Sequence, residues 1–296
     1  MPLSIAVLGG TGVYARHLIP RLVTRGHRVR ALVRRPEAAA IAAACGAELQ
    51  RADVFDPASL RAALAGCDVG INLATSLPGP SGRGDFATND RVRREGTPVW
   101  VAACRDAGVP RIVQQSIAMV NAPGGDAWGD EDTVYTGPRD EAGPRDDVAG
   151  LAIAAALAME DAVRGSDLDW TILRGGLFYG PGTGFDDDWF ARAVAGRLRL
   201  PGDGSDYVSL VHIADMAEAT VAAIERWPSR RALIVADDEP APWREVFAYV
   251  AAVARAAPPS PGGRRGFPSF RLRNTRARGA LSWTPAYATY RAGLAR

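Results

Sequence analysis

The chain has 296 residues, 47% of them apolar, and its 35 basic residues balance 33 acidic ones to a net charge of +2. That length suits one large α/β domain, or a nucleotide-binding domain with a smaller lobe. The near-neutral balance gives no electrostatic case for nucleic acid or membrane partners, and small-molecule chemistry is the expectation. All 35 basic residues are arginine. Schiff-base chemistry, a P-loop lysine and any Tyr-x-x-x-Lys pair are therefore excluded.

The first residues, MPLSIAVLGG, lack the charged start and long apolar run of a secretory leader, and no window approaches a membrane span, so a cytoplasmic protein is expected. Cys45, Cys67 and Cys104 show no CxxC or Cys/His spacing. They read as small thiols, with neither a disulfide framework nor a metal site.

Short β-type runs at 3–9, 28–33, 47–51, 69–73, 111–116 and 170–174 alternate with helical stretches at 13–25, 36–44, 57–64, 90–107 and 148–164. This alternation predicts an α/β fold, a Rossmann-type doubly wound parallel sheet. The nucleotide-binding domain is placed at 1–175. Residues 176–296 are read as a smaller substrate-binding lobe, partly interleaved with the first, and 258–266 as a surface loop.

After the first strand comes Gly9-Gly10-Thr11-Gly12-Val13-Tyr14-Ala15, opening a helix. Gly9 permits the tight turn, Gly12 lets backbone approach a pyrophosphate, and the helix start presents free N–H groups. The second strand ends in Arg34-Arg35, where an NAD-selective protein carries an acid. This pair either clamps the 2′-phosphate of NADP(H), which is favoured over NAD, or is a solvated pair at a strand end. Asp53-Val54 and Leu73-Ala74 follow the third and fourth strands, placed to contact the adenosine.

The chain resembles the extended short-chain dehydrogenase/reductase, or epimerase/dehydratase-like, family through GGTGVYA, Asp53-Val54-Phe55-Asp56, REGTPVWVAACRDAGVPRIVQQS, DWTILRGGLFYGPG, SLVHIADMA and LSWTPAYATYRAGL. The resemblance implies an NAD(P)-dependent activity on a small organic molecule or secondary metabolite. In that family a serine ending strand five and a Tyr-x-x-x-Lys on the next helix do the chemistry. Ser116 matches the serine. Registering the helix on Met159-Glu160 puts Ala152 and Ala156 at the other two positions, and Arg93 where the family has asparagine.

Ser116 is thus the expected retained catalytic residue, with Tyr135 and Tyr179 as candidate replacement phenols. Asp186-Asp187-Asp188 can attract a cation or cap a helix, and the latter is preferred. His17, His27 and His212 suggest no triad. The expected function is an NAD(P)-dependent oxidoreductase with a non-standard site, acting on an electrophile that needs little acid assistance. Alternatives are an epimerase, dehydratase or cyclase without net redox, and a non-catalytic NAD(P) sensor. Aromatic loops around Trp128 and Trp189 favour a substrate pocket, and the helices at 90–107 and 148–164 offer a homodimer face.

Overall fold

The computed structural model describes residues 1–78, 84–137 and 148–295. Its first half contains β1 (Ser4–Leu8), α1 (Val13–Thr24), β2 (Arg28–Val33), a 3-10 turn at Pro36–Ala38, α2 (Ala40–Ala44), β3 (Glu48–Arg51), α3 (Pro57–Leu64) and β4 (Val69–Asn72). Then follow α4 (Phe86–Arg91), a π-helical turn at Val92–Gly96, α5 (Thr97–Asp106), β5 (Arg111–Ile117), a 3-10 turn at Ala118–Asn121, β6 (Trp128–Gly129), α6 (Val148–Arg164) and β7 (Asp169–Gly175). The remainder holds β8 (Leu177–Tyr179), α7 (Phe185–Val194), β9 (Arg199–Pro201), β10 (Tyr207–Val208), β11 (Leu210–His212), α8 (Ile213–Arg226) and β12 (Arg231–Val235). It closes with β13 (Ala241–Pro242), α9 (Trp243–Val253), β14 (Ser260–Gly263), β15 (Arg271–Leu272), α10 (Thr275–Leu281) and α11 (Tyr290–Leu294).

The central sheet has seven strands in the order β12-β7-β5-β4-β1-β2-β3. Every pairing in it is parallel. Strand order reverses between β1 and β4, the position at which doubly wound sheets bind ligands beyond their carboxyl ends. Alternation along β1 divides the core. Ile5 and Val7 join Leu18, Leu22 and Met216 on one face, while Ala6 and Leu8 join Leu60, Leu64 and Trp100 on the other. A third core, with Trp189, Trp243, Phe247 and Phe270, lies under the lobe.

Three features depart from the sequence reading. A seventh strand, β12, comes from beyond residue 175 and completes the sheet against β7, while α8 covers α1. The lobe is therefore stitched through the nucleotide-binding domain. Ser260–Gly263 pairs with Arg199–Pro201, so part of the expected surface loop is a strand. The single helix expected at 90–107 is two, joined by the π-turn. On α6, Ala152, Ile153, Ala155, Ala156 and Met159 are buried within the chain itself.

Asp56 caps α3, accepting from the N–H groups of Ala58 at 3.0 Å and Ser59 at 3.2 Å, with Pro57 at the first helical position. Asp56→Ala is expected to lower stability by about 1 kcal/mol in urea unfolding. An unchanged midpoint would show that the cap contributes nothing.

Candidate functional site

The loop from β1 to α1 makes the first part of the site. Gly9 has φ +82°, and a Cβ there would lie 3.0 Å from the Leu73 carbonyl carbon, so only glycine fits. The Gly12 N–H donates to the Gly9 carbonyl at 2.9 Å, closing the turn. Gly12 is the N-cap of α1 and supplies no side-chain cap, so among the described residues no side chain caps the N–H groups of Val13, Tyr14 and Ala15. Thr11 and Gly12 are exposed and Gly10 is buried against β2. Such a turn fits a pyrophosphate.

Tyr14 enters this loop by its backbone only. Its ring is buried and its hydroxyl bonds the Thr220 hydroxyl and, at 3.2 Å, the Met216 carbonyl, which pins α1 to α8.

Beyond β2 and β3 lies a groove of about 570 Å3 lined by Arg34, Arg51, Asp53, Phe55, Asp56 and Ser59. Val33 and Arg51 are register partners, so Arg34 and Arg51 leave adjacent strand ends together. Arg51 was missed from sequence, although two strands ending at one level already brought it beside Arg34. Arg35 is exposed at the N-cap of the following turn, outside the groove's lining. Asp53 accepts from Phe55 N–H at 2.9 Å, which fixes its carboxylate at the groove wall. Val54 is buried against Gly96, and Leu73 and Ala74 follow β4 behind Gly9, with the Ala74 N–H held by Asn72 at 3.0 Å.

At the carboxyl end of β5 the expected chemistry is rearranged. Ser116 is fully buried and donates to Glu160 Oε1 at 2.7 Å. The same oxygen accepts from Arg174 Nε at 2.9 Å, while Oε2 accepts from Arg174 at 2.6 Å and Arg164 at 3.1 Å. Burial pushes the Glu160 carboxyl up, but these donors outweigh it and hold it below the ordinary carboxylate range. Arg174 also donates to Asn121 Oδ1 at 2.7 Å. Ser116 thus serves this buried ion pair in the structure, its one proton given to Glu160.

Tyr179 lies in the interior. It has 0% exposure, its hydroxyl lacks an acceptor among the described residues, and burial beside Asp237 and Asp215 pushes the phenol upward. It packs edge-on to His212 as a core residue. Tyr135, in the segment after β6, shares an apolar cluster with Ile117 and Ala156 at the end of β5. Residues 138–147, which follow it, lie outside the described residues. Ala152 and Ala156 are buried one turn apart on α6.

Arg93 sits in the π-turn at 1% exposure and donates to the Ala152 carbonyl at 2.8 Å. Burial pulls its guanidinium down to about 10 against the attraction of Asp90 and Glu160.

The histidines are structural. His17 bonds the Pro181 carbonyl at 2.9 Å, His27 accepts from Leu3 N–H, and His212 caps α8 with burial lowering its pKa to about 4. Asp186 accepts from Gly180 N–H at 3.1 Å and Asp188 pairs with Arg192, while α7 itself starts after Gly184 without a side-chain cap. No group of His, Cys, Asp or Glu among the described residues suits a metal. Nor is any described helix long and apolar enough to cross a membrane.

A family model described as NAD(P)H-binding matches residues 9–226. The 3-diazoavenalumate denitrifying reductase of a Streptomyces species is 34% identical, over 99% of this chain and 100% of that protein. The 2-alkyl-3-oxoalkanoate reductase of Stenotrophomonas maltophilia is 30% identical over 86% of this chain and 76% of its own length. Among solved structures, UDP-glucose 4-epimerase of Thermotoga maritima superposes with a TM-score of 0.79 over 99% of this chain and 97% of its own, at 17% identity. That last likeness is one of fold.

Replacing Glu160 by glutamine leaves Arg174 buried without its counter-charge, an effect expected to reach about 3–5 kcal/mol in denaturant unfolding. Because the folded pKa of Glu160 lies below the unfolded value near 4.3, its contribution is present above that pH and fades as pH falls through the folded value. The wild type should therefore lose stability on acidification below about pH 5, with a shallower slope in Glu160→Gln. Parallel slopes would remove Glu160 as a source of the acid sensitivity.

Proposed function

From the premise that this chain belongs to the NAD(P)H-binding family matched over residues 9–226, we propose an NADP(H)-dependent reductase that delivers hydride to a strongly electrophilic carbon. We infer that its substrate is an organic acid bearing a diazo group, which leaves as N2. The observation that carries this reading is the apolar stripe of α6, whose Ala156 packs in one cluster with Ile117 at the end of β5. Ala152 and Ala156 offer no phenol or ammonium, and Ser116 is committed to Glu160. A ketone or imine requires a proton as hydride arrives. An aryl diazonium carbon does not: hydride forms the new C–H bond, the C–N bond breaks, and its electron pair leaves with N2.

The residues present fit a nicotinamide dinucleotide. The Gly9 turn and the start of α1 would hold the pyrophosphate, and Asp53, Leu73 and Ala74 would flank the adenosine. When bound, the cofactor supplies the hydride. Arg34 and Arg51 have no carboxylate within 4.0 Å among the described residues and offer their guanidinium groups to a 2′-phosphate, which supports NADP(H) over NAD(H). The chain's own contribution to rate is positioning, by the rigid end of β5 and the aromatic lobe, together with exclusion of water. The two relatives named reductases support net redox, and the name of the Streptomyces relative supports the diazo class.

Turnover is tested with 4-carboxybenzenediazonium and 4-deuterated NADPH, counted against a protein-free background. Expected are equal amounts of N2 and oxidised cofactor, with deuterium in the arene. Oxidation of cofactor only with ketones, and no N2 above background, would overturn the diazo reading. By calorimetry NADPH should bind more tightly than NADH, and Arg34→Glu should weaken NADPH by roughly 1.5–3 kcal/mol. Equal affinities would remove the assignment of the arginines.

A further inference from the structure

From 246 to 296 the sequence has nine arginines and no Asp or Glu. Several find acids elsewhere in the chain: Arg265 meets Asp206 at 3.4 Å, Arg278 meets Asp238 at 2.8 Å, Arg276 meets Asp132 and Arg291 meets Glu239. Arg271 and Arg273 differ. Neither has a carboxylate within 4.0 Å among the described residues, and both lie against one ring. The Arg271 guanidinium stands 4.3 Å from the Trp128 ring centroid and 4.4 Å from that of Tyr207, between the two aromatics. Arg273 stands 4.9 Å from Trp128.

The pairing of β15 with β6 produces this arrangement. Arg271 and Trp128 are register partners, and alternation sends Arg271 and Arg273 to the same face, with Leu272 turned into the core. Trp128 is 41% exposed, so the cluster faces outward. The rings order the guanidinium groups, and cation–π contact leaves the N–H edge of exposed Arg273 available in the ring-free direction, while Arg271 Nε is buried. An outer N–H group of Arg271 reaches the Asp126 carbonyl at 3.3 Å. Two like charges with no carboxylate within 4.0 Å among the described residues invite an acid, which the Arg273 fork can grip together with the remaining outer N–H groups of Arg271.

The cluster abuts the turn that follows β5. Gly129 lies directly on the Asn121 carbonyl, where a Cβ would come within 2.8 Å, and Asn121 ends the turn that follows β5. The chain then continues from β6 to Tyr135.

We propose that Arg271 and Arg273, ordered by Trp128, form an anion subsite that receives the carboxylate of the substrate. The inference rests on the acid-reductase reading above and names the end of the substrate opposite to the reacting one. Both named relatives carry an acid in the names of their substrates, which agrees with a carboxylate anchor.

The test titrates 4-hydroxycinnamate and its methyl ester into NADPH-loaded protein by calorimetry. The acid should bind at least tenfold more tightly than the ester. Arg273→Gln and Arg271→Gln should each weaken the acid by roughly 10- to 100-fold and leave the ester unmoved, with the lysine variants recovering part of the loss. Arg273 is exposed, so its variant carries the test even if Arg271→Gln disturbs the β6–β15 contact. Acid binding equal to ester binding, no acid binding, or full acid affinity in Arg273→Gln would overturn the subsite. N2 release by wild type alongside full affinity in the variants would reject the subsite and leave the reductase reading standing. Arginine-dependent binding without N2 release would do the reverse.

Discussion

Much of the interior hangs on the Glu160 carboxylate. A buried carboxylate is costly unless charge and hydrogen bonds are both answered, and here each oxygen accepts two donors from β5, α6 and β7. Through Arg174 the same node reaches Asn121, whose amide holds the Thr133 carbonyl at 2.6 Å. A second stitch, from Ile234 N–H to Glu131 at 2.9 Å, fastens the same loop to β12. The carboxyl ends of three strands and the root of the lobe are thereby fixed relative to α6.

That rigidity gives the apolar stripe its meaning. On the reductase reading proposed above, hydride transfer works by placing donor and acceptor carbon together, and placement tolerates little slack. The π-turn at Val92–Gly96 contributes here, because it turns Arg93 inward to cap the Ala152 carbonyl. The positive charge of Arg93 is thereby held beneath the helix, away from the surface.

Local chemistry made much of the fold legible. Strand β2 and helices α3 and α6 fall where periodicity and capping place them, and Gly9 through Gly12 declare the turn that they form. Long-range pairing was not legible. Nothing in Arg231–Val235 alone announces an edge strand for a sheet whose previous member ends at 175, and the short pairings of β14 and β15 are set by partners over 60 residues away. At the site, Ser116 and Tyr179 carry suitable groups in suitable places along the chain. Which way each points depends on Glu160 and on the packing of α11, and neither is encoded in the motif itself. Conversely, Arg51 and the Trp128 cluster arise only when strands from separate segments are laid side by side.

The late arrival of β12 has a consequence for biosynthesis. Strand β7 pairs with β5 on one side and must wait for residues 231–235 on the other, so a nascent chain that has made every other strand of the sheet still exposes a bare parallel edge. Such edges recruit foreign strands. During translation at about 5–20 residues per second, β7 is held open for several seconds while α7, β9 and α8 are made. The edge of β7, which β12 covers in the finished sheet, is open to such pairing throughout that interval.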